Sequence, residues 1–254
     1  MNLGLGRQVV IVTGAASGIG AAIARMLSSE GVGALVLTDR DAEGLARVAA
    51  NLQVPVKTVV ADLADSAAAG EIAAAAVARF DRIDGLVNAA GLTTRGSFVT
   101  GDAEIWDQLF AVNARAAFLL MQAAIVDMRR RGVGGAIVNI LSMNAHCGIP
   151  ELAIYAGTKG AMATLTKNAA HAHMADRIRV NGINLGWVAT ATEHHIQSAL
   201  LGEGWEVIVA ASQPLGRLVT AEECARLAVF LLSEASVPMS GAILDLEQKV
   251  AGAI

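Results

Sequence analysis

Thr13-Gly14-Ala15-Ala16-Ser17-Gly18-Ile19-Gly20 is the stretch that decides the fold of this 254-residue chain. It follows an apolar run, Gln8–Thr13, and opens a segment with a helical pattern, Gly18–Glu30. Glycines between a strand and a helix permit a tight turn and let the backbone approach a pyrophosphate. The helix N-terminus adds free N–H groups and the positive end of a dipole. The stretch predicts a dinucleotide site, and the alternative is an ordinary strand–helix turn.

Outward from this turn, strand-like runs alternate with helical patterns along the chain. The predicted strands are Gln8–Thr13, Ala34–Asp39, Val56–Val60, Asp84–Asn88, Gly135–Leu141, Arg177–Asn184 and Ala242–Leu246. The predicted helices are Gly18–Glu30, Asp41–Asn51, Asp65–Phe80, Asp102–Arg131, Leu152–Met174 and Thr220–Ser233. This alternation predicts a Rossmann-like, doubly wound, mostly parallel sheet of seven strands, and the apolar strands indicate helices on both faces. We expect a single domain over residues 1–254, with a lid over the site at about 190–213.

Composition narrows the class of protein. The net charge of −4 argues against a nucleic-acid partner, and the chain has no continuous run of 18 apolar residues, so we expect no membrane span. The N-terminus is a poor secretory signal. Cys147 and Cys224 stand alone, and the histidines lack chelating spacing, so no metal site is expected. These features favour a cytoplasmic protein that acts on a small molecule.

Acidic residues near the glycine turn bear on the choice of cofactor. Asp39 ends the second predicted strand, where a carboxylate accepts hydrogen bonds from ribose hydroxyls and repels a 2′-phosphate. This favours NAD over NADP. The neighbouring Arg40 leaves the choice open, because it either partners a phosphate or faces solvent. Asp62 and Leu63 are expected at the adenine side, unless Asp62 lies in a loop before a helix capped by Asp65.

A second group of residues carries acid–base chemistry. Tyr155 is the only tyrosine, and Lys159 lies on the same face of a helix, one turn later. A nearby ammonium is expected to lower the pKa of the tyrosine. The alternative is a surface lysine beside a half-buried tyrosine. Ser142 ends the fifth predicted strand, where ligands bind in such sheets. Asn113 interrupts an apolar helix as either a core amide or part of a proton relay.

With these motifs the sequence resembles the short-chain dehydrogenase/reductase family, through Thr13–Gly20, Asn88-Ala89-Ala90-Gly91 and Tyr155-x-x-x-Lys159. The resemblance implies an NAD(P)-dependent oxidoreductase acting on CH–OH groups, with Tyr155 as general acid/base and Ser142 bonded to the substrate oxygen. It implies that Lys159 binds the nicotinamide ribose and tunes Tyr155, and that Asn113 positions a water. The implied cofactor-binding residues are Gly14, Ser17, Gly18, Ile19, Gly20, Asp39, Arg40, Asp62, Leu63, Asn88, Gly91, Tyr155, Lys159, Val188 and Thr190.

The family pattern is not complete. Ala89 replaces an asparagine, Leu185 replaces a proline, and Asp245-Leu246-Glu247 replaces Asp-Gly-Gly. Relatives commonly form oligomers through two long helices, so a homotetramer or homodimer is expected by resemblance.

Several residues are candidates for contact with the substrate. We expect contacts from Ser142, Asn144, His146 and Tyr155, and their polarity favours a sugar or polyol. A site lined by apolar residues such as Trp187 would instead suit a steroid or 3-oxoacyl ketone. Two further readings stay open, a non-catalytic nucleotide-binding sensor and an isomerase or lyase that uses transient hydride transfer.

Overall fold

The computed structural model describes residues 3–251, apart from the side chain of Thr192. The strands are β1 Val9–Thr13, β2 Ala34–Asp39, β3 Val56–Val60, β4 Gly85–Asn88, β5 Gly135–Ile140, β6 Ile178–Leu185, β7 Val188–Ala189, β8 Val219–Thr220 and β9 Ile243–Leu246. The α-helices are α1 Gly18–Ser29, α2 Ala42–Ala49, α3 Ala68–Phe80, α4 Ala103–Phe110, α5 Ala116–Arg131, α6 Ala153–His173, α7 Ala191–Leu201, α8 Trp205–Ala211 and α9 Ala221–Leu232.

Seven strands form one parallel sheet in the order β3-β2-β1-β4-β5-β6-β9. The chain moves outward from β1 in one direction through β2 and β3, then returns and continues from β4 in the other. The predicted doubly wound fold is therefore confirmed. Crevices for ligands lie beyond the carboxyl ends of the strands where the order reverses, here between β1 and β4.

Helices cover both faces of the sheet because successive residues of each buried strand point to opposite sides. In β1, Val10 and Val12 pack into a cluster with α1, α2 and α9. Val9 and Ile11 pack into a second cluster with α3, α5 and α6. Strands buried on both faces explain why these runs are continuously apolar.

The helix predicted over Asp102–Arg131 is not a regular α-helix throughout. It consists of α4 and α5 joined by one π-helical turn, Ala111–Arg115, which contains Asn113. The combined stretch Ala103–Arg131 is long and apolar enough to cross a membrane by length and composition alone. It is the one such helix among the described residues, and 61% of its apolar window is buried within the protein, as in a core helix.

Residues 190–213, the segment expected as a lid, contain two short helices that the sequence pattern did not predict. The chain leaves β6, pairs β7 with β8 in a small parallel ribbon, and places α7 and α8 between them. Trp205 at the start of α8 is almost completely buried and stacks on Trp187, with ring centroids 5.6 Å apart. Aromatic packing therefore anchors this segment to the end of β6.

Candidate active site

The glycine turn is held tightly against the end of β4. A Cβ on Gly14 would lie 2.9 Å from the Cα of Ala90, and Gly14 has a φ of +65°. A Cβ on Gly20 would lie 2.2 Å from the carbonyl oxygen of Gly14. The hydroxyl of Thr13 accepts hydrogen bonds from the N–H groups of Ala89 and Ala90, both at 3.0 Å. Larger residues at these glycines would force the turn apart, so the sequence of the turn fixes its shape.

A cleft of about 1100 Å³ opens at the carboxyl ends of the strands, beyond this turn. It is larger than most small-molecule pockets and has room for a dinucleotide with a second ligand. The N-terminus of α1 faces it, where free N–H groups favour a phosphate. The predicted cofactor residues in its wall are Gly14, Ser17, Gly18, Ile19, Gly20, Asp39, Arg40, Asp62, Leu63, Gly91, Tyr155, Lys159, Val188 and Thr190.

Asn88, also predicted to bind the cofactor, does not line this cleft. Its side chain is buried in the sheet, where its Nδ2 donates to Oδ1 of Asn139 at 2.8 Å. Nδ2 of Asn139 in turn donates to the hydroxyl of Thr166 on α6. The Nδ2 of Asn88 thus ties β4 to β5 inside the sheet.

Asp39 lies in the cleft wall at the end of β2. Its Oδ2 accepts from the N–H of Ala16 and its Oδ1 from the N–H of Asp41, both at 3.1 Å. The two bonds hold the carboxylate in the plane where β2 ends, beside exposed Arg40. Asp62 accepts from the N–H of Ala64 and so also forms its own turn.

Tyr155, Lys159 and Ser142 meet at the middle of the cleft. Tyr155 and Lys159 lie in the first two turns of α6, and all three side chains are buried. The Lys159 Nζ donates to the carbonyl of Ile140 at 2.8 Å and lies 5.6 Å from the centroid of the Tyr155 ring. The strand end of β5 and the start of α6 therefore converge, as the spacing of these residues predicted.

The pKa of Tyr155 differs in direction from the expectation. Burial raises it to about 12, and a hydrogen bond from Ser142 opposes that rise. Burial also lowers the pKa of Lys159 to about 8. The expectation that the ammonium lowers the pKa of the tyrosine is therefore wrong in direction, because desolvation of the buried phenol dominates.

Ser142 is oriented by Asn144. The backbone N–H of Asn144 and its Nδ2 both donate to the Ser142 Oγ, at 3.2 and 3.1 Å. Because a hydroxyl oxygen has two acceptor lone pairs, these bonds leave the hydroxyl proton to be donated. The geometry leaves the single hydroxyl proton of Ser142 to be donated to Tyr155, or to a ligand oxygen that takes that place.

Asn113 is held by the loop after β4. Its Oδ1 accepts from the N–H of Leu92 at 2.8 Å, and its Nδ2 donates to the carbonyl of Leu92 and to the Thr158 hydroxyl. Asn113 Oδ1 and Lys159 Nζ lie within 4 Å of the position that a Cβ on Gly91 would take. The π-helical turn thus brings Asn113 to the same corner as the lysine.

His146 was expected to contact the substrate, but it lies outside the wall of the cleft. Its Nε2 is 3.1 Å from Asp245 and 3.2 Å from Nδ2 of Asn184. The short 3₁₀ turn Met143–Ala145 directs Asn144 into the cleft and His146 toward the end of β9. Among residues 3–251, no group of three or more His, Cys, Asp or Glu side chains is placed to hold a metal.

Sequence reasoning missed several polar residues in the cleft wall, among them Asp41 and Glu247, and three that matter for the argument below. They are Gln108, Glu193 and Gln197. Thr190-Ala191-Thr192-Glu193 has the Ser/Thr-x-x-Glu spacing of a helix start, and the Thr190 hydroxyl does accept from the Glu193 N–H at 3.1 Å. That pattern was the available indication that α7 exists and presents Glu193.

The chain matches the family model described as enoyl-(acyl carrier protein) reductase over residues 14–248. It is 36% identical to 2-(S)-hydroxypropyl-CoM dehydrogenase 3 of Xanthobacter autotrophicus, over 97% of this chain and 98% of that protein. It is 34% identical to D-threitol dehydrogenase of Mycolicibacterium smegmatis, over 94% and 91%. Its backbone is similar to L-sorbose reductase from Gluconobacter frateurii complexed with NADPH and L-sorbose, with a TM-score of 0.92 and 29% identity over 100% of both chains.

Proposed function

Since the chain belongs to the short-chain dehydrogenase/reductase family and is an NAD(P)-dependent oxidoreductase acting on CH–OH groups, we propose that it interconverts a polar secondary alcohol and its ketone with NAD(H). The observation that carries the proposal is the convergence of Tyr155, Ser142 and Lys159 beside the glycine turn, in one cleft. A non-catalytic sensor would have no use for a buried tyrosine with an ordered proton donor beside it.

Tyr155 is the proposed general acid/base. In the direction of reduction its phenol gives a proton to the substrate oxygen, and in oxidation the phenolate takes the proton back. Ser142 donates its hydroxyl proton toward the same oxygen, because Asn144 occupies the acceptor side of its Oγ. Two donors aimed at one oxygen stabilise the charge that develops there.

Lys159 and Asn113 are the proposed route for that proton. The Lys159 ammonium sits beneath Tyr155, bonded to Ile140, with a pKa near 8 that lets it release or accept a proton close to neutral pH. Asn113 adjoins it at Gly91 and is positioned to hold a water that leads outward. This role would explain a satisfied asparagine inside a π-helical turn.

The cleft fits a nicotinamide dinucleotide. Gly14 and Gly20 form a cradle that a Cβ would fill, and the N-terminus of α1 suits the pyrophosphate. Asp39 would accept from the adenosine ribose, while Val188 and Thr190 would hold the carboxamide at the other end. When bound, the cofactor supplies or removes the hydride. Arg40, beside Asp39, is the residue that would pair with the 2′-phosphate of NADP. We propose that repulsion of this phosphate by Asp39 outweighs that pairing, so that NAD is preferred.

The substrate end of the cleft supports a polar ligand. Thr93, Asn144, Gln108, Glu193 and Gln197 present polar groups there, among apolar residues such as Ile149 and Leu152. D-threitol dehydrogenase and L-sorbose reductase, which this chain resembles, are named for polyhydroxylated compounds. We therefore favour a sugar or polyol over a steroid or 3-oxoacyl ketone. Residues 190–213 would close over it as the lid of a single domain.

Tyr155→Phe tests the proposal. We expect the variant to bind NADH as the wild type does, since the ring and its packing remain, but to lose more than about 99% of turnover, a typical general-acid/base contribution. Nicotinamide fluorescence reports binding, and absorbance of NADH reports turnover. Near-normal turnover would remove Tyr155 from this role. A wild type that binds NADH but converts no alcohol or ketone would instead support a sensor.

Two wider expectations accompany this function. A groove on α4 to α6, lined by residues including Phe110, Phe118 and Leu165, is the proposed contact between copies of the chain in a dimer or tetramer. Light scattering tests it, and a monomeric mass contradicts it. Cys147 and Cys224 are free thiols, which suits the proposed cytoplasmic setting.

A further inference from the structure

Glu193 stands in the first turn of α7 and lines the same cleft as Tyr155 and Ser142. Its Oε1 accepts from Nε1 of Trp187 at 2.7 Å and from Nε2 of Gln197 at 2.8 Å. Both bonds end on the same oxygen. Among the described residues, Oε2 receives no hydrogen bond, although a carboxylate has lone pairs for several.

The partners of Glu193 are themselves fixed. Gln197 is buried, with 7% of its surface exposed. Trp187 stacks on Trp205, which is 1% exposed. A carboxylate oriented by buried Gln197 and by half-buried, stacked Trp187 loses little conformational freedom when it binds a ligand, so the site is preorganised.

Glu193 also acts electrostatically on the catalytic centre. Glu193 and Tyr155 line the same cleft, and the negative charge of Glu193 contributes to the raised pKa of Tyr155. The other charged side chains in this end of the cleft wall are Arg95, which is exposed, Glu247, and the buried Lys159. Glu247 lies against Gly186, where a Cβ would approach its carboxylate. Two carboxylates, those of Glu193 and Glu247, therefore line the cleft that holds Tyr155.

We propose that Glu193 is the specificity residue of this enzyme, accepting a hydrogen bond from a second hydroxyl of the substrate and discriminating against anionic substrates. The inference rests on the proposed function, because it takes Tyr155 to act on the first oxygen. A neutral polyol satisfies both groups. A hydroxy acid would bring its carboxylate toward that of Glu193, and like charges at short range repel.

Glu193→Gln separates these effects with little change of shape. The amide oxygen keeps the bonds to Trp187 and Gln197, while the second position becomes an N–H₂ donor. The matched control is Glu71→Gln, which removes the same charge from an exposed residue of α3, away from the cleft. Three probes are compared at the pH optimum of each variant: xylitol, 2-butanol and 3-hydroxybutyrate.

For Glu193→Gln we expect kcat/KM to fall about 10-fold or more for xylitol, mainly through KM, as for the loss of a hydrogen bond to a charged acceptor. The value for 2-butanol should stay within about twofold, because that alcohol has no second hydroxyl, and the value for 3-hydroxybutyrate should rise. Glu71→Gln should match the wild type for all three. An equal loss for xylitol and 2-butanol, or no loss for xylitol, would overturn the proposal.

The failure of the proposed function would look different. In that case the wild type would convert none of the three probes with NAD or NADP. The proposal then depends on binding, read by the fluorescence of Trp187, whose indole is bonded to Glu193. Weaker xylitol binding by Glu193→Gln than by the wild type would support it, and equal binding or none would refute it.

Discussion

Replacing Asp39 with alanine is expected to move the ratio of kcat/KM for NAD and NADP by about 100-fold toward NADP. The carboxylate is held by the N–H groups of Ala16 and Asp41 at the end of β2, so it cannot turn away from a ribose bound there. Removing it takes an acceptor from the ribose of NAD and a like charge from the 2′-phosphate of NADP. Arg40, in the same wall, is left to partner that phosphate.

The magnitude comes from two effects. Two unit charges about 5 Å apart repel by about 3 kcal/mol at an effective dielectric constant of about 20, and partial exposure of Asp39 reduces this to about 1.5 kcal/mol. A ribose hydroxyl bonded to a carboxylate contributes about 1.5 kcal/mol. Together they give about 3 kcal/mol, and each 1.36 kcal/mol corresponds to about tenfold.

Steady-state kinetics with both cofactors, at one fixed substrate concentration, measure this ratio. The variant loses two backbone partners and should be less stable, but the ratio is independent of the folded fraction. Glu43→Gln is the matched control, because Glu43 pairs with Arg47 and its side chain is 90% exposed, outside the cleft. A ratio for Asp39→Ala within twofold of the wild type would show that Asp39 does not contact the ribose.

Two further predictions concern the catalytic corner. Burial lowers the pKa of Lys159 from 10.5 to about 8, so between these values the unfolded chain binds a proton that the folded protein does not, and stability rises with pH. From pH 8 to pH 9 the free energy of unfolding of the wild type, measured in urea, should rise by about 1 kcal/mol relative to that of Lys159→Met. Above pH 9 the raised pKa values of Cys224 and Tyr155 make the stability fall as the pH rises. Equal slopes for both proteins would mean that Lys159 is not desolvated. Asn113→Ala removes the side chain that bonds the N–H and the carbonyl of Leu92. The variant should lose about 1–3 kcal/mol of the free energy of unfolding and should turn over more slowly. An unchanged melting temperature would show that these two hydrogen bonds do not stabilise the fold.

The sequence predicted the sheet most directly through its inner strands, such as β1, β4 and β6, which are buried on both faces. Val9 to Val12 must all be apolar when alternate residues meet two different helix layers, and this leaves an unbroken pattern. The glycine turn was equally readable, because Gly14 and Gly20 tolerate no Cβ. Only a few residue types meet steric requirements of this kind, so a single sequence is enough to predict them.

Side-chain interactions with partners that are distant in the sequence could not be predicted from the sequence. His146 follows Ser142 as a pocket residue would, yet its partner is Asp245 on a strand 99 residues away. Asn88 ends a strand beside the cleft, but the amide of Asn139 on the next strand captures it. Polar side chains join whichever partners the fold brings near, and local pattern cannot reveal these.

The π-helical turn between α4 and α5 also determines how the chain can vary in length. Such a turn contains one residue more than α-helical geometry requires, so every residue after it is rotated by about 100° around the axis. Deleting a residue here would restore a regular helix, with one of two consequences. Either Asn113 would lose its hydrogen bond with Leu92, or the buried face of α5 would turn away from the sheet. The helix is therefore locked in register at this point, and insertions or deletions should be confined to the loops on either side of it.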